Sequence, residues 1–251
     1  MKASSSLSVL ATMLALIFIN LASSAPTALP SDSVSASGAS FFYPLSSLPA
    51  SEFIIPNRSG PQRWSCTYMN TQVQASSRGT AISIGQGSSS KPFSCGEMIL
   101  KKTPQYGTYS IDMISSNVRG VVTGFFLITT GGMATEIDIE MTGLNSKVLH
   151  LNVWKDGTQH PIQVPLEFDA SQDWHNYALE WRKDYIAWFV DGKQVLKRSD
   201  IPTENPHSSN YRLAMNSWTD SNDDRWAGKF AWPSEEMTKV ESRFRNLKYT
   251  P

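Results

Sequence analysis

Acids recur at every second position in Glu136-Ile137-Asp138-Ile139-Glu140, between Thr135 and Met141. On a β-strand successive side chains point to opposite faces, so this spacing puts Glu136, Asp138 and Glu140 on one face and Ile137 and Ile139 on the other. Three carboxylates in a row repel one another, and no Lys or Arg stands among them in sequence. Stability alone does not select such a row. It reads as an acidic strand solvated at a sheet edge, as one salt-bridged to Arg on a neighbouring strand, or as a cation site. A further reading is chemical. Hydrolysis of a glycosidic bond with retention needs a nucleophilic carboxylate and a protonated carboxyl flanking that bond, about 5 to 5.5 Å apart. The Cα atoms of Glu136 and Glu140 lie roughly 13 Å apart on a straight strand, and long side chains leaning inward on a concave, twisted sheet shorten the gap between their tips. Asp138 between them supplies a like-charge field that raises a neighbour's pKa and keeps one Glu protonated.

Such a row needs a β-scaffold. After Gln62 helical periodicity is weak, and short alternating runs are separated by Gly, Pro, Asn and Asp. Strands are predicted over 81–84, 107–114, 121–128, 148–153 and 177–181. The clearest hairpin joins 186–190 to 193–196 through Asp191-Gly192, a pair suited to a tight turn. Many short strands with regular turns mean an all-β sandwich or barrel. The 251 residues suit one such domain. With 22 basic and 22 acidic side chains the chain lacks the cationic excess that phosphate backbones demand, so nucleic acid is not expected as a partner. Its 8 Trp call for a core or a flat apolar ligand to cover them.

The N-terminus reads as an address. Lys2, an apolar run from Val9 to Leu21 and small residues at 22–25 describe a secretory signal peptide over 1–24, too short for a membrane helix. No second apolar stretch occurs and Tyr249-Thr250-Pro251 is not a lipid-anchor tail, so a soluble, secreted monomer without membrane contact is expected. Residues 25–60, rich in Ser, Ala and Pro with Phe41-Phe42-Tyr43 and Phe53-Ile54-Ile55 as apolar islands, read as a tail or pro-segment partly laid on the domain surface, and the main domain as 61–251. Asn57-Arg58-Ser59 is a glycosylation acceptor on that route. An oxidising compartment favours pairing Cys66 with Cys95. The four His (His150, His160, His175, His207) lack metal spacing, and no phosphate loop or Gly-x-Ser-x-Gly elbow occurs, so neither metal nor cofactor is expected.

Several segments in order resemble glycoside hydrolase family 16, and within it the lichenase branch. They are Trp64 to Tyr68, Phe93 to Glu97, Tyr106 to Tyr109, Gly120 to Phe126, the acid signature Glu136-Ile137-Asp138-Ile139-Glu140 without an extra bulge residue, and Tyr185 to Gly192. The resemblance runs from about Trp64 to Thr250. It implies a jelly-roll β-sandwich of two antiparallel sheets with a concave substrate cleft, and a Cys66–Cys95 disulfide. It makes Glu136 the nucleophile and Glu140 the general acid/base, with Asp138 assisting the nucleophile. Glu97, Phe126, Asn152, Trp154, Asn216 and Trp218 fall where the family places cleft residues, while Trp181 and Trp188 match core positions. Three departures stand out: Ala134-Thr135 replaces a Trp-Asp pair, Ile99 replaces an Arg, and Arg245 replaces the Asp of a structural calcium site, so no calcium is expected.

The function implied is a secreted retaining endo-β-glucanase acting on β-1,3-1,4-linked or related glucans, with β-glucan as its partner. A cell-wall transglycosylase keeps the chemistry and changes the acceptor. A glucan-binding module keeps the sandwich and loses catalysis. An acidic pH optimum follows from one carboxyl being protonated while its partner is ionised.

Overall fold

Residues 38–60, 64–88, 91–130, 135–201, 203, 210–220, 225–232 and 239–251 are described by a computed structural model of the chain. The expected signal peptide over 1–24, residues 25–37, Ala134 and His207 lie outside these described residues. Eighteen strands form among them. First come β1 (Phe41–Tyr43), β2 (Phe53–Ile54), β3 (Arg58–Ser59) and β4 (Cys66–Tyr68), then β5 (Val73–Ser76), β6 (Gly79–Ser88) and β7 (Lys91–Leu100). The middle supplies β8 (Gly107–Ile114), β9 (Val121–Thr129), β10 (Glu136–Thr142), β11 (Val148–Lys155), β12 (Thr158–Gln159) and β13 (Ile162–Pro165). The last are β14 (His175–Trp181), β15 (Ile186–Val190), β16 (Lys193–Arg198), β17 (Tyr211–Thr219) and β18 (Val240–Thr250).

Two antiparallel layers result. One runs β5-β6-β18-β8-β14-β15-β16, with β1 added to β18. The other runs β2-β7-β17-β9-β10-β11-β13, with β12 on the end of β11. The β6–β7 hairpin crosses between them, and β4 pairs parallel to β7 beside it. This is the jelly-roll sandwich expected. Its core takes every second residue: Ile137, Ile139 and Met141 from β10 and Leu149, Leu151 and Val153 from β11 face Ile111, Tyr177, Trp181, Trp188 and Phe244 of the other layer. Trp188 also donates its indole N–H to the backbone carbonyl of Asp138 at 3.2 Å, so the far sheet pins the acid strand from below.

Turn chemistry follows the residues. Asp191 and Gly192 take φ of 48° and 78°, the left-handed pair a two-residue hairpin turn requires, and Asp156-Gly157 repeats it at 51° and 77° between β11 and β12. The two cysteines, 5.7 Å apart between Cα atoms, form a disulfide with an S–S bond of 2.07 Å.

Residues 38–60 do more than lie partly on the domain surface. They lay β1 along β18, β2 along β7 and β3 along β4, and bury Leu45 and Phe53 in the core, where Thr80 donates to the Leu45 carbonyl. The apolar islands Phe41-Phe42-Tyr43 and Phe53-Ile54-Ile55 are short strands whose partners lie far along the chain, so local composition conceals them. Each fully buried Leu or Phe side chain stabilises the sandwich by roughly 1.5–3 kcal/mol. The folded unit therefore takes in residues 38–60 ahead of the expected boundary at 61.

Candidate active site

Strand β10 sits between β9 and β11 in the second layer, and its parity is set by the isoleucines buried beneath it. Glu136, Asp138 and Glu140 consequently share the outer face, as the alternation required. The two Glu are half-buried, while Asp138 is 3% exposed. Burial, then the charges of Glu136 and Glu140, hold the Asp138 carboxyl well above the usual carboxylate range, against a hydrogen bond from Asn152 that pulls it down. Asp138 is therefore biased toward its protonated form.

Antiparallel register extends the site sideways in cross-strand rows. One runs Glu97, Asn216, Gly124, Glu140 and His150 over β7, β17, β9, β10 and β11. The next runs Ile99, Ala214, Phe126, Asp138 and Asn152 over the same strands. Trp154 lies across from Glu136 and is half-buried beside it. Phe126, 8% exposed, joins Ile99 and Ala214 in a small apolar cluster apart from the main core, a greasy floor next to the acids. The Ile99 departure thus completes an apolar patch.

Glu97 is buried, and Arg58 of β3 bonds it at 2.7 Å while its guanidinium lies 4.7 Å from the Tyr68 ring centroid. Burial raises the Glu97 pKa, and Arg58 foremost, with Arg212 and Asn216, opposes that rise. Asn216 donates to the Tyr68 hydroxyl at 2.8 Å, and its buried carbonyl oxygen has no hydrogen-bond partner among the described residues. That oxygen overhangs Gly124, where an added Cβ would meet it at 2.5 Å, so glycine keeps the floor bare between Asn216 and Glu140.

Two expected sugar contacts are committed elsewhere. Asn152 accepts the His160 backbone N–H at 2.9 Å and bonds Asp138, which makes it a support for the central acid. Trp218, expected as a stacking platform, is 3% exposed, with Trp64 stacked on it at 4.4 Å and 17° and Trp226 against it at 5.9 Å. The sequence could not foresee this cover, since Trp64 lies on a remote segment. Arg58, Tyr68, His150 and Trp226 were missed, although Leu149-His150-Leu151-Asn152-Val153-Trp154 alternates as clearly as the acid strand. At the expected non-calcium position, Arg245 bonds Asp112 at 3.2 Å and lies over the Trp174 ring. Asn57 is exposed and its side-chain oxygen accepts the Asn70 backbone N–H at 2.7 Å.

This face combines two half-buried carboxyls, a buried one whose pKa is raised, an apolar floor and polar walls. That set can protonate a leaving oxygen and attack an anomeric carbon. Comparison with known proteins agrees. Residues 60–234 match glycosyl hydrolases family 16. A beta-glucanase of Acetivibrio thermocellus is 31% identical over 193 residues, 75% of this chain, and the chain spans 55% of that protein's length. One from Paenibacillus polymyxa is 33% identical over 177 residues, 68% of this chain and 72% of its own. The Bacillus licheniformis beta-glucanase structure superposes with a TM-score of 0.75 at 27% identity, covering 86% of this chain and 99% of that one. A β-1,3-1,4-glucanase (lichenase) from a mouse hindgut metagenome gives 0.76 at 26% identity, covering 85% and 100%. A family match over that span, with relatives of this identity, means that the chain belongs to the glycosyl hydrolases family 16.

Proposed function

We propose that this chain is a secreted endo-β-glucanase that cleaves β-1,3-1,4-linked glucan with retention, working as a monomer. The observation that carries the reading is the burial of Asp138 between two more exposed glutamates on one face. Ionised Glu136 attacks the anomeric carbon while the Glu140 carboxyl protonates the departing oxygen, which leaves as a free sugar hydroxyl. Water then gives its proton to Glu140 and displaces Glu136 from the glycosyl ester. Asp138, holding a proton beside Glu136, donates a hydrogen bond to that carboxylate and steadies it as it is released. The Asn216 oxygen, without a partner among the described residues, suits a sugar hydroxyl, and Trp154 and Phe126 offer apolar surface to a ring. The relatives named beta-glucanase and the lichenase structure support the substrate class. A buried disulfide fits an oxidising, extracellular compartment.

The test is reducing-sugar release from barley glucan, lichenan and laminarin. Parent protein is expected to cleave the mixed-linkage glucans, and Glu136→Gln to lose at least about a thousandfold in kcat. No release from any of the three, with Glu136→Gln indistinguishable from parent, sinks the reading.

A further inference from the structure

His150 stands directly across from Glu140 in the β10–β11 register, on the same outer face, because its neighbours Leu149 and Leu151 fill the core. Gln163 of β13 lies on its other side. Among the described residues, the register and hydrogen bonds set Glu140, Gln163 and Trp226 beside the ring, and of these three Glu140 is the one that titrates. Trp226 donates its indole N–H to His150 Nδ1 at 3.2 Å, with the two rings edge to face at 5.9 Å. Trp226 itself leans on Trp218, and Trp218 on Trp64, so a line of aromatic rings fixes the imidazole in place. An indole N–H can only donate, so Nδ1 must be the acceptor and the neutral ring carries its proton on Nε2. Protonating the ring would set two donors against each other. Burial already lowers the His150 pKa, which favours the neutral form further.

We propose that His150 is a specificity-determining residue that offers a neutral Nε2–H, beside Glu140, to a hydroxyl of the sugar on the leaving-group side of the cleaved bond. Glu97 and Asn216 flank Glu140 on the opposite side of the same row, so His150 serves the half of the substrate that they do not reach. A neutral donor suits this position. A lysine or an imidazolium there would draw the proton off Glu140 and weaken the acid. The inference rests on the glucanase reading above.

The experiment compares two substrates cut at the same acids. In an unmodified β-glucan oligosaccharide a sugar departs; in its nitrophenyl glycoside a phenol departs and no sugar occupies that side. His150→Leu is expected to lose about tenfold in kcat/KM on the oligosaccharide, the worth of one hydrogen bond, and to stay within about twofold of parent on the nitrophenyl glycoside. His150→Gln, which keeps a neutral donor, is expected to recover most of the loss. Nitrogen NMR of the intact parent is expected to find the proton on Nε2, and Trp226→Phe to release that preference. Equal losses on both substrates, or none on either, overturn the inference, as does a proton on Nδ1 in the parent. A parent inactive on every β-glucan overturns the glucanase reading first and this inference with it.

Discussion

Asp138 holds a proton in the folded chain at pH values where an exposed carboxyl has lost one, since burial and two neighbouring charges raise its pKa. Between the unfolded pKa, about 3.9, and the higher folded value, the folded state binds more protons than the unfolded. Stability contributed by this group is therefore present at low pH and falls as pH rises through that window. Asp138→Asn removes the liability. It is expected to raise the thermal midpoint at neutral pH, by about 2–4 °C for each kcal/mol regained, while cutting activity, as calorimetry and sugar release together will read. The same cluster sets the rate profile. Activity needs Glu136 ionised and a proton still in the row, so the optimum is expected on the acidic side. A rate still climbing above neutrality contradicts the assignment.

At the scale of elements, the acid strand and its neighbours were legible because their alternation is local. Strand β8 spans the predicted Gly107–Ile114, and β9, β11, β14 and the Asp191-Gly192 hairpin differ from expectation by a few terminal residues. The arm over 38–60 was illegible. Its strands hold only two or three residues, too few for a period to show, and their partners sit on β18, β7 and β4. The same reason hid His150 and Gly124 as neighbours of Glu140: register between distant strands is not written in either strand alone. The arm carries weight as a structural element. Leu45 is fully buried, so Leu45→Ala is expected to cost about 2–5 kcal/mol, measured as a lowered urea midpoint with an unchanged slope. A loss under half a kcal/mol would make residues 38–60 an ornament.

For the whole molecule, fold class was readable from turn spacing and alternation, and the acids from their period. Which aromatic rings stay open was not readable. Trp218 and Trp226 differ in role because Trp64, from the far end of the chain, covers one of them. The Cys66–Cys95 bridge ties β4 to β7 near that cover. Its sequence separation is 29, and loops of that length give roughly 3–4 kcal/mol in the chain-entropy account. Reduction is expected to lower the thermal midpoint clearly and to leave kcat at a temperature where the protein stays folded; an unchanged midpoint would contradict this. Strand β18 carries a different consequence. It lies in the middle of its layer, between β6 and β8, although it follows all seventeen other described strands in the chain. During synthesis those two older strands wait with facing hydrogen-bonding edges bare until residues 240–250 leave the ribosome. A nascent chain of this design keeps two pairing edges open while every strand from β9 to β17 is made, and one late stitch closes both.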